Sequence, residues 1–478
     1  MRRLFAFVDA QGETLEDYSY ADFAARVDSL AAVLARTDGL SPGERVILAY
    51  QPGLELVAAL FACSKAGLIP IPTPRLGAFD CVAWVGRLDH IVKDSGAAAW
   101  LVCRRTRELF AGSAQRCTDP VPREAANRIE ALPVIETTSI EIEPQAMAPE
   151  RSHPIALLQY TSGSTSNPKG VCVSHQNLIA NCRAAVQRQG EVAVTWLPQH
   201  HDMGLIGYYI YAVLSGSTTW GLSPRSFMQN PSIWLELLTR HKATATSVPN
   251  FALELCLNER RVPLAKLNDY DLSTLRTLMV AAEPVCQETF EAFRQKFTRC
   301  GLKDEAFFVA YGLAEFTLAV SSHGRRAVSV DRRRLAPGEA SLVTETTGVS
   351  HALPLMSCGR ALGDTDIRIV NPETGIEVPT GGTGEIWCAG AGRAMGYWQK
   401  PEANQETFEA RLVDMPDMQE PFLRTGDIGF VHDGEVFVCG RLKDMIIIRG
   451  QNIYPEDIEA LALQVYPELR GNGVVAFS

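Results

Sequence analysis

No two of the 12 cysteines form a Cys-x-x-Cys pair, and no Cys/His cluster has the spacing of a zinc site. That excludes a disulfide scaffold and a zinc module, and it fits buried, reduced thiols. No run of about 18 apolar residues occurs, so no helical membrane span is expected. The start, Met1-Arg2-Arg3-Leu4-Phe5-Ala6-Phe7, carries two arginines, but Asp9 breaks its apolar stretch, so it does not read as a secretory leader. An excess of positive charge is missing too. The net charge of −10 argues against a nucleic-acid partner and suits a cytoplasmic enzyme. An anionic substrate must then find local positive groups, because the global field does not attract it. Internal repeats and low-complexity tracts are absent.

What is present is an ordinary globular balance, 46% hydrophobic and 21% charged over 478 residues. At about 100–200 residues per domain this length predicts roughly two to four structural units. Apolar residues recur at helical spacing from Tyr20 to Leu34, and Arg45–Tyr50 reads as a buried strand. A helix over Gly53–Ala66, a short strand over Gly67–Pro72 and a strand over Ala98–Cys103 follow. This rhythm predicts a mostly parallel sheet flanked by helices. The stretch Asp119–Pro149, rich in Pro and Glu, reads as a connector.

From Ile155 the rhythm repeats. Strands are expected at Ile155–Tyr160, Val192–Trp196, Ser217–Gly221 and Thr244–Val248, and helices after His175, over Leu205–Leu214 and over Pro231–His241. From about Cys358 the texture changes to short strands and turns, at Asp366–Val370, Glu385–Cys388 and Gly434–Val438. The expected organisation is an α/β subdomain over 1–150, a second over 151–357, a β-rich subdomain over 358–442, and a further piece over 443–478.

The sharpest local feature is Tyr160-Thr161-Ser162-Gly163-Ser164-Thr165-Ser166-Asn167-Pro168-Lys169-Gly170. Its hydroxyls, its glycines, which allow close backbone approach, and the Lys169 charge together suit a polyphosphate. The order Lys169-Gly170 excludes a Walker A loop, and no G-x-G-x-x-G opens a helix, so P-loop kinase and dehydrogenase readings fail. On composition alone the stretch reads equally as a polar surface turn.

In its full order, T-S-G-S-T-x-x-P-K-G, this segment resembles the signature loop of the adenylate-forming superfamily: acyl-CoA synthetases, peptide-synthetase adenylation domains and luciferases. Further stretches resemble that superfamily's motifs in the expected order. They are Ala281-Ala282-Glu283-Pro284, Tyr311-Gly312-Leu313-Ala314-Glu315, Tyr397-Trp398, Arg424-Thr425-Gly426-Asp427 and Gly440-Arg441-Leu442-Lys443-Asp444. The resemblance implies a large adenylating domain of two mostly parallel α/β subdomains plus a β-rich subdomain, followed by the start of a small α+β C-terminal domain. It implies ATP and Mg²⁺ as cofactors. Thr161 and Lys169 would act on the phosphates, with Ser162, Gly163, Ser164 and Thr165 cradling them. Glu315 would hold Mg²⁺, as a carboxylate suits a hard cation. Ala282 and Glu283 would line the adenine, with Ala281 standing where Gly is common. Tyr311, followed by Gly312, would stack on the base. Asp427 would accept from both ribose hydroxyls, Arg441 would meet the ribose or phosphates, and Lys443-Asp444 would be a hinge.

Two features resemble the fatty acyl-AMP ligase branch. One is Trp196-Leu197-Pro198-Gln199-His200-His201-Asp202-Met203-Gly204-Leu205-Ile206-Gly207. The resemblance puts His201, Asp202, Met203 and Gly204 beside an acyl pocket, with His201 a wall or gate. No third ligand near the histidines argues for a metal. The apolar spacing of Met203, Leu205, Ile206, Tyr208 and Tyr209 suits a tunnel lining and ordinary core packing equally. The other feature is the long stretch between Glu315 and Gly359, which CoA-forming relatives cross with roughly 20 fewer residues. Its extra segment, about 321–356, resembles the insertion of that branch, which hinders the CoA-accepting pose; a solvated charged loop is the plainer reading.

The expected reaction is therefore ATP-dependent activation of a long-chain fatty acid to an acyl-adenylate, for transfer to an acyl carrier protein's phosphopantetheine. The resemblance also implies a further helix before Phe5 and a C-terminal domain of about one hundred residues, whose lysine contacts the α-phosphate. No position up to Ser478 matches that lysine, so adenylation by these residues alone is expected to be poor. Competing readings are a fatty acyl-CoA synthetase and an adenylate-binding module that docks carrier proteins.

Overall fold

The computed structural model describes residues 2–453 except 78–80, 115–119, 144–150, 161–167, 187, 332–351, 445 and 449–450; beyond 453 it describes only 458, 462 and 465. The chain divides into two compact units, one of 1–243 with 394–401, the other of 244–393 with 402–478.

The first unit begins with β1 (Arg3–Val8), β2 (Thr14–Ser19) and α1 (Tyr20–Arg36). Ser19 caps α1 with a reciprocal box, its hydroxyl accepting from Asp22 N–H while Asp22 accepts from Ser19 N–H. Next come β3 (Arg45–Ala49), α2 (Leu54–Lys65), β4 (Ile69–Pro72), α3 (Cys81–Ser95), β5 (Ala99–Val102) and α4 (Arg104–Ala114). Strands β4-β3-β5 and β6 (Val134–Glu136) form an all-parallel sheet. Its strands are buried apolar runs, as crossover helices require. The expected connector at Asp119–Pro149 is instead partly regular. It contains α5 (Pro120–Glu130) as well as β6, because Ala125, Ala126 and Ile129 fall on one helical face and join the core around Trp84, Trp100 and Phe110.

Strands β7 (Ile155–Tyr160) and β8 (Gly170–Ser174) form an antiparallel hairpin, and α6 (His175–Ala185) follows. Ile155 and Leu158 of β7 are buried in the core of the parallel sheet. Strands β9 (Val192–Thr195) and β10 (Thr218–Leu222) run parallel to each other and to β1, with β2 antiparallel outside. The helix expected over Leu205–Leu214 runs from Asp202 to Ser215, with a π-helical stretch at Leu205–Ile210. Such wide turns commonly mark functional segments.

In the second unit, β11 (Ala245–Val248), β12 (Thr277–Val280) and β13 (Phe307–Gly312) are parallel, and β14 (Ala319–Gly324) returns antiparallel on β13. Helix Gln287–Thr298 lays Phe290 on Phe307, ring centroids 4.0 Å apart. The ends of the expected insertion form a hairpin of β15 (Ala327–Asp331) and β16 (Ala352–Met356), and its middle lies outside the described residues. Arg360–Ala361 is β17. The β-rich texture after Cys358 resolves into an antiparallel sheet, β18 (Asp366–Val370), β19 (Gly384–Ala389), β20 (Leu423–His432) and β21 (Glu435–Arg441), followed by a small hairpin of Ile446–Ile448 with Gln451–Ile453.

Candidate functional site

In the first unit, Thr161, Ser162, Gly163, Ser164 and Thr165 lie outside the described residues, but the stems that carry them are defined. Tyr160 pairs with Gly170 at the mouth of the β7–β8 hairpin. The Tyr160 hydroxyl donates to Asp94 Oδ2 at 2.8 Å, and Lys400 Nζ lies 2.6 Å from Asp94 Oδ1. Burial, reinforced by Asp94, pushes the Tyr160 hydroxyl far above its usual pKa, so it stays a donor. On the other stem His90 Nε2 donates to the Pro168 carbonyl at 2.9 Å. Strand β8 exchanges backbone bonds with the Tyr397-Trp398 motif: Cys172 N–H to Gly396 O at 2.8 Å, Met395 N–H to Cys172 O at 3.0 Å, and Trp398 N–H to Gly170 O at 2.8 Å. The Lys169 ammonium stands 4.6 Å from the Tyr397 ring centroid. Two of the sequence motifs are thus adjacent here.

The second segment of this unit, Trp196–Gly207, is fixed by Gln199. Its amide accepts from Gly53 N–H and donates to Gly53 O, both at 3.0 Å. His201 opens the helix, with Nδ1 2.7 Å from Asp202 Oδ1. Burial lowers the His201 pKa, but the hydrogen bond and charge of Asp202 outweigh it and hold it above the usual value. His200 is the opposite case. Burial, with the charges of His201, Arg87 and Arg75, lowers it to about 4, leaving a neutral ring. Gly204 cannot carry a side chain: a Cβ there would lie 2.2 Å from the Pro198 carbonyl oxygen. Met203, Leu205, Ile206, Tyr208 and Tyr209 are all buried. An apolar recess with about 100 Å³ of space is lined by Leu60, Phe61, Leu157, Leu178, Ile210 and Leu214 and by none of those five.

In the second unit, strand pairing sets Arg441 opposite Asp427. Arg441 Nε lies 3.3 Å from Asp427 Oδ1, and the Tyr311 hydroxyl donates to Asp427 Oδ2 at 2.5 Å, from 116 positions away. Asp427 is 6% exposed. Burial raises its pKa above the ordinary aspartate value; the Tyr311 hydrogen bond and Arg441 pull the other way without cancelling it. The Tyr311 hydroxyl is pushed well above 10, mainly by burial. Gly312 is required where β13 meets its return: a Cβ would lie 1.8 Å from the Leu318 carbonyl oxygen. Glu315 is half-buried in a short 3₁₀ turn that ends at Thr317, a β-branched residue at φ 70°. Ala282, at φ 75°, precedes Glu283, whose carboxylate accepts from Phe251 N–H at 2.6 Å. Burial raises the Glu283 pKa. Backbone strain of this kind collects at functional positions. Lys443 and Asp444 lie in the turn after β21, where Asp444 N–H donates to Arg441 O at 3.3 Å.

Sequence reasoning did not single out Asp94, Lys400 or Glu385. Glu385 was legible as an acid within the apolar strand Ile386-Trp387-Cys388; it is 2% exposed and accepts from Arg424, Trp387 and Gly426. Asp94 and Lys400 carry no comparable signal.

Residues 3–398 match the model of the AMP-binding enzyme family, and the chain belongs to that family. It is 35% identical over 485 residues to a medium-chain-fatty-acid–[acyl-carrier-protein] ligase, JamA of Moorena producens, covering 98% of this chain and 79% of that protein. It is 34% identical over 476 residues to a putative fatty-acid–CoA ligase, fadD25 of Mycobacterium tuberculosis, covering 95% of this chain and 78% of that one. Among solved structures it resembles the fatty acyl-adenylate ligase from L. pneumophila in complex with acyl adenylate and pyrophosphate. There the TM-score is 0.81 and the identity 33%, over 98% of this chain and 79% of that chain.

Proposed function

We propose that this chain activates a long-chain fatty acid with ATP to give a fatty acyl-adenylate and pyrophosphate, for transfer to the phosphopantetheine thiol of an acyl carrier protein in the cytoplasm. The observation that carries the reading is the Tyr311–Asp427–Arg441 corner, where three separate motifs supply an aromatic face, a carboxylate and a guanidinium within hydrogen-bonding reach. The names of the acyl-carrier-protein ligase and acyl-adenylate ligase relatives support the substrate class.

The fatty carboxylate oxygen attacks the α-phosphorus, the bond from that phosphorus to the bridging oxygen breaks, and pyrophosphate leaves with the electron pair. A carboxylate is already ionised at neutral pH, so no base is needed. The barrier is the approach of two anions and the charge on the leaving group, so positioning and electrostatics carry the catalysis. Lys169 and the Thr161–Thr165 hydroxyls and amides hold the phosphates. Tyr311 takes the base beside Ala282 and Glu283. Asp427 accepts from the ribose hydroxyls and Arg441 meets the sugar or phosphates. His201, Asp202, Met203 and Gly204 border the acyl group, and Lys443-Asp444 is the pivot. Among the described residues no cluster of three or more His, Cys, Asp or Glu side chains could hold a metal unaided. A single half-buried carboxylate, Glu315, suits Mg²⁺ that takes its remaining ligands from phosphates and water. When bound, Mg²⁺ would offset phosphate charge.

The test is fatty-acid-dependent exchange of pyrophosphate into ATP, followed by product analysis with CoA or with a phosphopantetheinylated carrier protein. Acyl-adenylate and acyl-carrier product support the proposal. Prompt acyl-CoA formation favours the second reading, an acyl-CoA ligase, to which the likeness to fadD25 points. No exchange with any acid, by the chain extended through the C-terminal domain expected to supply the α-phosphate lysine, favours an adenylate-binding module.

A further inference from the structure

The carboxylate proposed to hold the ribose sits on a loop, Arg424-Thr425-Gly426, that a second, deeper carboxylate organises. Glu385 lies on β19, 2% exposed, and meets four donors. Its Oε2 accepts from Trp387 Nε1 at 2.9 Å and from Arg424 Nε at 2.9 Å, with Arg424 Nη2 at 2.8 Å. Its Oε1 accepts from Gly426 N–H at 3.1 Å. The Thr425 hydroxyl between them donates to Ile386 O at 2.7 Å and accepts from Asp427 N–H at 3.1 Å. The backbone leading into Asp427 is therefore tied to β19 at three consecutive residues, and Asp427 itself is tied back to Thr425.

The local pairing shows why a tie is needed. The β19–β20 register runs Cys388↔Leu423, Trp387↔Arg424, then shifts before Glu385↔Ile428. Residues 425–427 bulge out of the β19 ladder between those pairs, so on that side no regular strand bonds hold them, while on the other side Asp427 pairs with Arg441. A buried carboxylate is a costly way to fill that gap unless it is well supplied with donors, and here both oxygens accept. Arg424 also lies 5.6 Å from the Trp387 ring centroid, so its charge is shared between the acid and the ring.

We infer that Glu385 is a positioning residue for nucleotide recognition, which through Arg424 and the Gly426 amide fixes the bulge that aims Asp427 at the ribose hydroxyls. This rests on the reading of Asp427 as the ribose anchor. A carboxylate accepting two hydroxyls at once tolerates little misplacement.

The discriminating measurement compares equilibrium binding of ATP and 2′,3′-dideoxy-ATP, by calorimetry, to the wild-type chain, Asp427→Ala, Glu385→Gln and the milder Trp387→Phe. Thermal unfolding is followed in parallel. The wild type should prefer ATP by roughly tenfold or more, the value of hydrogen bonds to a charged group. Asp427→Ala should erase that preference. Glu385→Gln should weaken ATP severalfold while leaving dideoxy-ATP nearly unchanged, so that the preference collapses, and Trp387→Phe should erode it partway. General damage would weaken both nucleotides alike. If Asp427→Ala keeps the preference, the ribose-anchor reading falls and this inference with it. If Asp427→Ala loses the preference while folded Glu385→Gln or Trp387→Phe retains it in full, the positioning role alone is overturned. Should Glu385→Gln fail to fold, Trp387→Phe decides.

Discussion

The stems at Tyr160 and Gly170 in the first unit and the Asp427 corner of the second gather their polar partners by opposite routes. The hairpin is contiguous in sequence: its residue types announce a phosphate-sized loop, and distant partners (Asp94, His90, the strand around Tyr397) only brace the stems. The corner has no contiguous motif. Tyr311, Asp427 and Arg441 come from three strands, and the bond between the first two closes over 116 positions. A local device can be read from composition and order. A convergent one is read only by likeness to a family, because nothing within ten residues of Tyr311 says that its hydroxyl will find a carboxylate.

The comparison breaks most easily at the proposed cation ligand. Glu315→Gln is expected to cut fatty-acid-dependent pyrophosphate release by roughly a hundredfold, since a lost metal contact costs several kcal/mol of charge stabilisation. Unchanged kinetics would remove Glu315 from the site. Close backbone approach comes next. Gly204→Ala in the first unit and Gly312→Ala in the second each drive a Cβ into a carbonyl oxygen, at 2.2 and 1.8 Å. Each should cost about 2–4 kcal/mol, read as a fall in melting temperature, because backbone cannot swing aside as a side chain can. An unshifted melting curve for either would show that its turn is not tight.

Tyr311→Phe is a subtler break. It leaves Asp427 Oδ2 without its donor, and ATP affinity should fall by roughly tenfold or less. The Tyr311 hydrogen bond lowers the Asp427 pKa, so removing it raises an already raised value. The carboxylate then protonates earlier as pH falls, and the acid-side loss of ATP binding should begin at higher pH than in the wild type. An acid limb that stays put or moves down would contradict the pairing. The smallest effect belongs to His201. Its folded pKa lies above 6.5 because Asp202 holds the charged ring, so its stabilisation is complete below pH 6.5 and fades as pH rises through the folded value. The melting-temperature difference between wild type and His201→Gln should shrink with rising pH, and a difference that grows would assign the charge elsewhere.

Much of the fold was legible. The strands at Arg45, Ala98, Ile155, Val192 and Thr244 fall within a residue or two of their expected places, because buried parallel strands are written as short apolar runs bounded by turns. The stretch Asp119–Pro149 was not legible, since its Pro and Glu content masked a helix whose buried apolar face is as small as Ala125, Ala126 and Ile129, with Arg128 bonded to Asp89. Nor was the tunnel-or-core ambiguity of Met203 to Tyr209 soluble from spacing, because a tunnel lining and a packed core write the same apolar face; all five side chains are buried. Glu385 escaped because its meaning lies in partners 39 and 41 positions away, although an acid inside an apolar strand is a signal that asks for them.

The first unit is not one continuous stretch of chain: residues 394–401 belong to it, although their neighbours on both sides fold with the second. Any attempt to produce it by truncating after Ala243 would strip β8 of the backbone partners offered by Met395, Gly396 and Trp398, and Asp94 of Lys400. Dissection of this protein should therefore graft that octet back by a linker, or keep the polypeptide whole.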